Sequence, residues 1–197
     1  MNFLAHLHIA EYCQSDLAGN LLGDFVKGNP EGKYPNHVVD GIRLHRFVDS
    51  YTDTHPLILQ QKSLFDPQIK RFSPIALDMF WDHCLACEWG EFHHLRLVDF
   101  VEKCHSFCDS QSYEVPDHYR TTMNAMWRGE WLLSYQDINS TLYALERMSH
   151  RSPRMGPLND CGDVLVAHYE ELRAVFLQFY PDILNNSKRF IDKHQQP

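Results

Sequence analysis

The segment from Ser73 to Gly90, SPIALDMFWDHCLACEWG, constrains the fold more than any other part of the chain. Ser73 can cap the amino end of a helix, Pro74 is tolerated at the first helical position, and glycine commonly follows a helix. At 3.6 residues per turn, the apolar side chains surround this helix instead of forming one stripe. Such a helix is usually buried, so the segment predicts the central element of a helical protein.

The same segment carries polar groups that a buried helix keeps only with partners, namely Asp78, Asp82 and His83. Asp78 and Asp82 are four residues apart and therefore neighbours on one helix face. Two like charges in apolar surroundings are unfavourable without a compensating cation, which a metal ion or an arginine would supply. Exposure to solvent or ordinary ion pairing explains the same pattern, and this segment alone does not decide between the two interpretations.

The remaining sequence is helical in pattern, with no alternating strand, repeat, linker or low-complexity tract. Helices are predicted at residues 2–12, 16–28, 36–55, 57–72, 95–110, 116–135, 137–151, 158–181 and 182–193. Prolines limit two of these helices: Pro67 breaks the helix predicted at residues 57–72, and Pro181 ends the one predicted at residues 158–181. The sequence predicts an all-α fold, a bundle of eight to ten helices by rough count, in a single domain over residues 1–197.

Charge and hydropathy exclude several classes of protein. The net charge of −8 argues against a general nucleic-acid binder, which usually carries a basic excess. No apolar run approaches the roughly 20 residues of a membrane span, and the first residues lack a basic segment typical of a signal peptide. We therefore expect a cytoplasmic protein that binds neither nucleic acid nor membranes.

Six cysteines raise the alternative of a structural zinc site. Cys84 and Cys87, followed by Cys104 and Cys108, approach the spacing of a zinc ribbon. However, both pairs lie within apolar helical patterns and not on tight turns, and cysteine is often a small buried apolar residue. We expect reduced cysteines in the core, with a zinc-stabilised scaffold as an alternative.

Candidate metal ligands lie on several predicted helices. Asp24 falls near the carboxyl end of its helix, where the dipole disfavours an anion unless Lys27 or a metal compensates. His45 and Asp49 share one helix face with Asp53, which can ligate a metal, hold an acid–base pair, or form a solvated ion-paired face.

Two further histidines lie near the start of the chain. His6 and His8 project about 200° apart on a helix, so only one of them can reach a given site. A packed or capping histidine is the commoner role for either.

Carboxylate and imidazole ligands together favour manganese, iron, magnesium or zinc. Such a centre suits hydrolysis, because a metal lowers the pKa of water and polarises a phosphoryl oxygen. The sequence has no glycine-rich phosphate loop, dinucleotide fingerprint or nucleophile elbow. These observations favour metal-assisted hydrolysis of a phosphoester.

A basic cluster follows the helix predicted at residues 137–151. It consists of Arg147, His150, Arg151 and Arg154. Cations at a helix carboxyl end are favourable on dipole grounds alone, yet the cluster also suits an anionic partner.

Several motifs give the chain a family resemblance over nearly its whole length. They are MNFLAHLHIA, GNLLGDFVKGNP, GIRLHRFVDSYTD, LDMFWDHCL and SHRSPRM, in this order. Together they resemble the acyl carrier protein phosphodiesterases, also called ACP hydrolases. The resemblance implies a circularly rearranged, all-helical HD-domain that depends on a divalent metal, typically Mn²⁺, with Mg²⁺, Fe²⁺ or Zn²⁺ as alternatives. It also implies hydrolysis of holo-acyl carrier protein to the apo form and 4′-phosphopantetheine.

The resemblance implies the roles of individual residues. An ordinary HD site has a histidine, then an adjacent His–Asp pair, then a distant aspartate. In this chain the adjacent pair is inverted, as Asp82–His83, and the single aspartate, Asp24, precedes the single histidine, His45. A rearranged order of the chain would explain both differences. The implied metal ligands are Asp24, His45, Asp82 and His83, with Asp49, Asp78 and His6 in reserve beside them. The expected catalytic residues are Asp24, His45, Asp49, Arg46 and Asp82. Asp49 or a neighbouring histidine would protonate the leaving serine oxygen, and Arg46 and Lys27 would neutralise the phosphate.

The expected protein substrate is acidic, so a chain of net charge −8 needs a basic surface to meet it. The expected substrate-binding residues are Lys27, Arg43, Arg147, Arg151 and Arg154. Two other functions stay open: an HD-type phosphohydrolase of nucleotides or other small phosphoesters, and a non-enzymatic helical module that binds a carrier protein.

Overall fold

A computed structural model describes residues 1–194, and all regular secondary structure in that range is helical, which confirms the all-α prediction. The α-helices are α1 (Phe3–Tyr12), α2 (Leu17–Leu22), α3 (Asn36–Thr54), α4 (Pro56–Gln61), α5 (Ser73–Cys87), α6 (Trp89–Phe92), α7 (Leu97–Asp109), α8 (Asp117–Arg128), α9 (Trp131–Ser134), α10 (Ile138–Ser149), α11 (Cys161–Ala167) and α12 (Tyr169–His194). Short 3-10 helices lie at Lys62–Leu64, Lys70–Phe72 and Pro153–Leu158. The described range therefore has more helices than the eight to ten predicted, because short ones such as α6 and α9, of 4 residues each, interrupt the longer patterns.

Helix α5 is the central element, as predicted. Phe80, Trp81 and Leu85 are fully buried, and α5 packs against α1, α10, α11 and α12. The amino end differs in detail from the prediction, since the Ser73 hydroxyl donates to the carbonyl of Lys70 instead of capping the helix. The burial of α5 on all sides explains why its polar residues need partners from other helices.

Helix α12 does not stop at Pro181, so that prediction is wrong. The predicted helix is interrupted earlier, at His168 between α11 and α12, and α12 then continues through Pro181. A proline inside a helix costs about 3 kcal/mol. Burial of Phe179, Tyr180 and Ile183, which lie on both sides of the proline, offsets this cost because ending the helix would expose them.

Helices α2 and α3 pack with their backbones in close contact because glycines lie between them. A Cβ atom on Gly19 would lie 2.5 Å from the Val38 carbonyl oxygen, and one on Gly41 would lie 2.8 Å from the Asp16 carbonyl oxygen. Helix α2 ends at Leu22 and not near Gly28 as predicted, so Asp24 lies in the turn that follows. This packing brings the turn after α2 beside the middle of α3.

No helix among residues 1–194 is long and apolar enough to cross a membrane.

Candidate metal centre

Two buried histidines and an aspartate converge between α1 and α3. His6 Nε2 lies 3.1 Å from Asp49 Oδ1, and His45 Nε2 lies 3.0 Å from Asp49 Oδ2. The two imidazole rings stack with their centroids 3.8 Å apart. One ligand atom from each of the three residues lies within 4.8 Å of the others, so the group can hold a divalent metal ion. The four-residue spacing of His45 and Asp49 on α3 produces their shared face.

Asp24 completes the polar edge of this group. Its Oδ1 lies 3.3 Å from His45 Nε2, although its side chain is 52% exposed. The preceding residue, Gly23, lies directly against the imidazole, because a Cβ atom there would be 2.1 Å from His45 Cγ. The sequence Gly23–Asp24 thus gives a close backbone approach followed at once by a carboxylate.

The donor set fits a divalent metal. Both imidazoles are buried, whereas the carboxylates of Asp24 and Asp49 are 52% and 39% exposed, so the oxygen side of the group faces solvent. The Nδ1 atoms of His6 and His45 are buried and have no hydrogen-bond partner among the described residues, so both rings present Nε2 to the carboxylates. Imidazole nitrogens with carboxylate oxygens are the ligands that manganese, iron and zinc share.

The two histidines have opposite electrostatic environments. Burial and, to a lesser extent, the neighbouring His45 lower the pKa of His6 to about 4, although the contact with Asp49 acts in the opposite direction. Burial also disfavours protonation of His45, but hydrogen bonds to Asp24 and Asp49 outweigh it and raise the pKa of His45 to about 9. Burial alone would raise the pKa of Asp49, but its hydrogen bonds with His45 and His6 outweigh burial and hold this pKa well below its usual range. Of the two histidines, His45 is therefore the one that carries a positive charge near neutral pH when no metal is bound.

Asp78 lies beside this group but is paired with an amino group. The amino nitrogen of Met1 is buried, 2.6 Å from Asp78 Oδ1 and 3.8 Å from Asp49 Oδ1. Burial lowers the pKa of this amino group, but the attraction of Asp78 and Asp49 is greater and the net pKa is raised. The compensating cation expected for Asp78 is thus the ammonium of Met1 and not an arginine.

The expectation that Asp82 is a metal ligand needs correction, because its oxygens are directed to the backbone of α1. Oδ2 accepts from the amide of Leu4 at 2.7 Å, and Oδ1 accepts from the amides of Asn2 and Ala5, both at 3.2 Å. Burial raises the pKa of Asp82 to about 7 even though these amides oppose the shift. The positive end of the α1 dipole therefore compensates Asp82 in place of the expected cation.

His83 is also outside the group, and its expected role as a ligand needs the same correction. Its Nδ1 donates to the Tyr135 carbonyl at 2.7 Å, so its Nε2 accepts from the Tyr169 hydroxyl, also at 2.7 Å. Adjacent residues on a helix point about 100° apart, which is why Asp82 contacts α1 while His83 contacts α12. Both nitrogens of His83 are occupied by protein partners.

Two of the basic residues expected at the phosphate lie near Asp24. Arg46 donates to the carbonyl of Val26 at 2.5 Å and so ties the turn after Asp24 to α3. Lys27 is exposed on the same turn. Arg43 is bound to the carboxylates of Glu31 and Asp40, which neutralise its charge.

The other basic residues expected to bind substrate lie on α10 and after it. Arg147 lies over the ring of Tyr143, with 5.8 Å between its guanidinium carbon and the ring centroid. Arg151 and Arg154 are exposed, and the Arg154 carbonyl accepts from the Arg71 guanidinium at 3.2 Å. The fold therefore adds Arg71, from a distant part of the chain, to this basic surface.

Cysteines do not form a metal group among residues 1–194. All six thiols are free, Cys84 and Cys104 are buried, and the group of His6, His45 and Asp49 contains no sulfur. The interpretation of cysteine as a small buried residue is confirmed at these two positions.

Comparisons with known proteins identify the family. The family model described as acyl carrier protein phosphodiesterase matches residues 1–183. The chain is 40% identical over 189 residues to the acyl carrier protein phosphodiesterase of Photorhabdus laumondii subsp. laumondii, covering 95% of this chain and 96% of that protein. It is 38% identical over 190 residues to the enzyme of that name from Escherichia coli (strain K12 / DH10B), covering 96% and 98% respectively. No solved structure matches the chain, so the likeness to an HD-domain stays a prediction. The chain belongs to the acyl carrier protein phosphodiesterase family.

Proposed function

We propose that this protein hydrolyses the phosphodiester that joins 4′-phosphopantetheine to a serine of holo-acyl carrier protein, and releases the apo-protein and 4′-phosphopantetheine. The observation that carries the proposal is the family match over residues 1–183, together with the convergence of His6, His45 and Asp49 in the same range. We also propose a cytoplasmic location, which the free thiols of the six cysteines support.

We propose that His6, His45 and Asp49, with Asp24 at the exposed edge, hold a divalent metal, and that Mn²⁺ is the ion. When bound, such an ion supplies Lewis-acid stabilisation of phosphoryl charge and activation of water. The low pKa of Asp49 keeps this carboxylate ionised near neutral pH, so it is suited to hold a cation. For the same reason it is unsuited to protonate the leaving serine oxygen, the role considered for it above.

Arg46 and Lys27 are proposed to act at the phosphate. The bond from Arg46 to the Val26 carbonyl fixes the turn that carries Asp24, and guanidinium groups can form several hydrogen bonds at once. Lys27 extends from the same turn into solvent, where it can meet a phosphate oxygen. Arg43 contributes less in this proposal, because Glu31 and Asp40 already neutralise it.

The decisive experiment uses holo-carrier protein as substrate. Purified protein is incubated with holo-carrier and Mn²⁺, with and without chelator, and the carrier is weighed by mass spectrometry. We expect loss of the phosphopantetheine mass with metal, no loss with chelator, and no loss with His45→Gln. His55→Gln is the matched control, because His55 caps the same helix but pairs with Asp182.

The same assay separates the alternatives. Cleavage of a nucleotide from a parallel panel, with an intact holo-carrier, would favour the small-phosphoester hydrolase. Tight carrier binding without metal and without any change in mass would favour a non-enzymatic module.

Recognition of the acidic carrier protein is proposed to use Arg147, Arg151 and Arg154, with Arg71 adjoining them. Reversing charge with Arg151→Glu and Arg154→Glu should mainly raise KM and flatten its dependence on salt, because exposed charges act through screened attraction. Arg120→Glu together with Arg128→Glu on α8 is the control of equal charge change, because both arginines are exposed. A large fall in kcat with unchanged salt dependence would contradict the docking role.

A further inference from the structure

Helix α1 begins without a cap of its own. The residue at its cap position, Asn2, makes no side-chain cap bond, and its side-chain Nδ2 donates to the Tyr135 hydroxyl at 2.9 Å. The first amides of a helix have no partner within the helix and need one when they are buried. In this protein the partner is Asp82, from a different helix and about eighty residues away in the chain.

The carboxylate of Asp82 serves these amides as a cap supplied by another element. It accepts from Asn2, Leu4 and Ala5, and it is fully buried with them in the protein interior. These three amide bonds favour the ionised form of Asp82 against the effect of burial, and that form also interacts favourably with the positive end of the helix dipole. These contacts fix the position of the first turn of α1 along and around α5.

The next residue after this turn is His6. Its amide donates to the Asn2 carbonyl at 3.1 Å, so its backbone continues directly from the capped turn. Its ring then lies in stacking contact with His45 and 3.1 Å from Asp49. Contacts of this kind need the first turn of α1 to be held to within a fraction of an ångström, since an imidazole on a helix moves with its backbone.

We propose that Asp82 is a positioning residue for the metal centre: it caps α1 from α5 and thereby holds His6 against His45 and Asp49. This inference rests on the proposed function only where metal affinity is concerned. A carboxylate is required because two oxygens serve three amides, whereas asparagine at the same place offers one oxygen and directs an NH₂ group at an amide donor.

The first test needs no metal. Asp82→Asn is compared with Asp137→Asn, which alters the carboxylate cap of α10 in the same way. Nitrogen NMR of the imidazoles should show a changed His6 signal in Asp82→Asn and the native His6 signal in Asp137→Asn. The His83 signal should be native in Asp82→Asn. A native His6 signal in folded Asp82→Asn would overturn the proposal.

The second test is a double-mutant cycle on Mn²⁺ affinity, measured by titration calorimetry. Residues that support a metal ligand typically change affinity by 10–100-fold, so we expect Asp82→Asn to weaken Mn²⁺ binding roughly tenfold. In a His6→Gln background the same change should cost less than about twofold. Equal losses in both backgrounds would show that Asp82 does not act through His6.

Hydrogen exchange on the wild-type protein covers the case in which Asp82→Asn does not fold. The amides of Leu4 and Ala5 should then exchange as slowly as those in the middle of α5, because Asp82 holds them. Rapid exchange at both positions would refute the proposal. If the wild-type protein binds no Mn²⁺, the proposed metal centre fails, while the imidazole and exchange measurements still decide the role of Asp82.

Discussion

Binding of Mn²⁺ should depend steeply on pH, because the metal must displace a proton that His45 holds tightly. In the metal-free protein Asp24 and Asp49 outweigh the effect of burial and raise the pKa of His45 to about 9. An imidazole can ligate a metal only in its neutral form. The proton on His45 therefore competes with the ion over the whole neutral range.

The expected magnitude follows from the fraction of neutral His45. With a pKa of about 9, this fraction rises roughly 30-fold between about pH 6.5 and about pH 8, and the apparent affinity rises with it. A histidine with the ordinary pKa of about 6.5 would change affinity only about twofold over the same interval. The burial of His6, which lowers the pKa of its imidazole to about 4, removes it from this competition.

Titration calorimetry tests this in several buffers that differ in ionisation enthalpy. Near pH 7.5 we expect close to one proton released for each Mn²⁺ bound. Asp24→Asn removes one of the carboxylates that raise the pKa of His45, so it should reduce both the pH slope and the proton release. A twofold affinity change with no proton release in the wild-type protein would refute the assignment of the proton to His45.

Three further outcomes follow from the packing and charges. Gly23→Ala should abolish Mn²⁺ binding and lower the free energy of unfolding by about 1–3 kcal/mol, because the new methyl group would overlap His45. The control is Gly90→Ala, which should leave Mn²⁺ affinity unchanged because the space around its Cβ position is open. Pro181→Ala should raise the free energy of unfolding in urea by up to about 3 kcal/mol, since α12 is already continuous there; a loss of stability would contradict this. The melting temperature of the metal-free protein should fall as pH rises from about 6.5 through about 9, because the raised pKa of His45 gives a stabilisation that is complete below about pH 6.5. His45→Gln should make this slope shallower and leave the part that comes from the raised pKa of the Met1 amino group.

The sequence predicts most of the fold because its helices are amphipathic or capped. The all-α class, the central position of α5 and the shared face of His45 and Asp49 all follow from helical periodicity. The end of α12 is not predictable in this way, since proline at 181 is a local signal for termination. Burial on both sides of Pro181 depends on tertiary packing, which the local sequence does not contain.

The site is only partly predictable for a related reason. His6 lies on α1 and its partners on α3, and no spacing in the sequence connects them. The sequence does indicate that only one of His6 and His8 can reach a given site, because the two project to opposite sides of α1. The structure shows which one, since His8 contacts the Tyr180 hydroxyl at 2.8 Å instead. The ammonium of Met1 beside Asp78 had no sequence signal at all, because main-chain groups are invisible to residue patterns.

The adjacent pair Asp82–His83 shows why spacing is better evidence for a site than adjacency. Neighbouring residues on a helix project about 100° apart, so a pair of this kind needs a metal at the helix surface between them. On a helix buried on every side, that space is filled by other helices, and each residue of the pair meets a different one. Residues four apart, such as His45 and Asp49, project in one direction and keep that relation whatever packs around them. We therefore expect His83→Gln to leave Mn²⁺ affinity within about twofold of the native value, because His83 contacts only protein groups. His45→Gln should abolish Mn²⁺ binding.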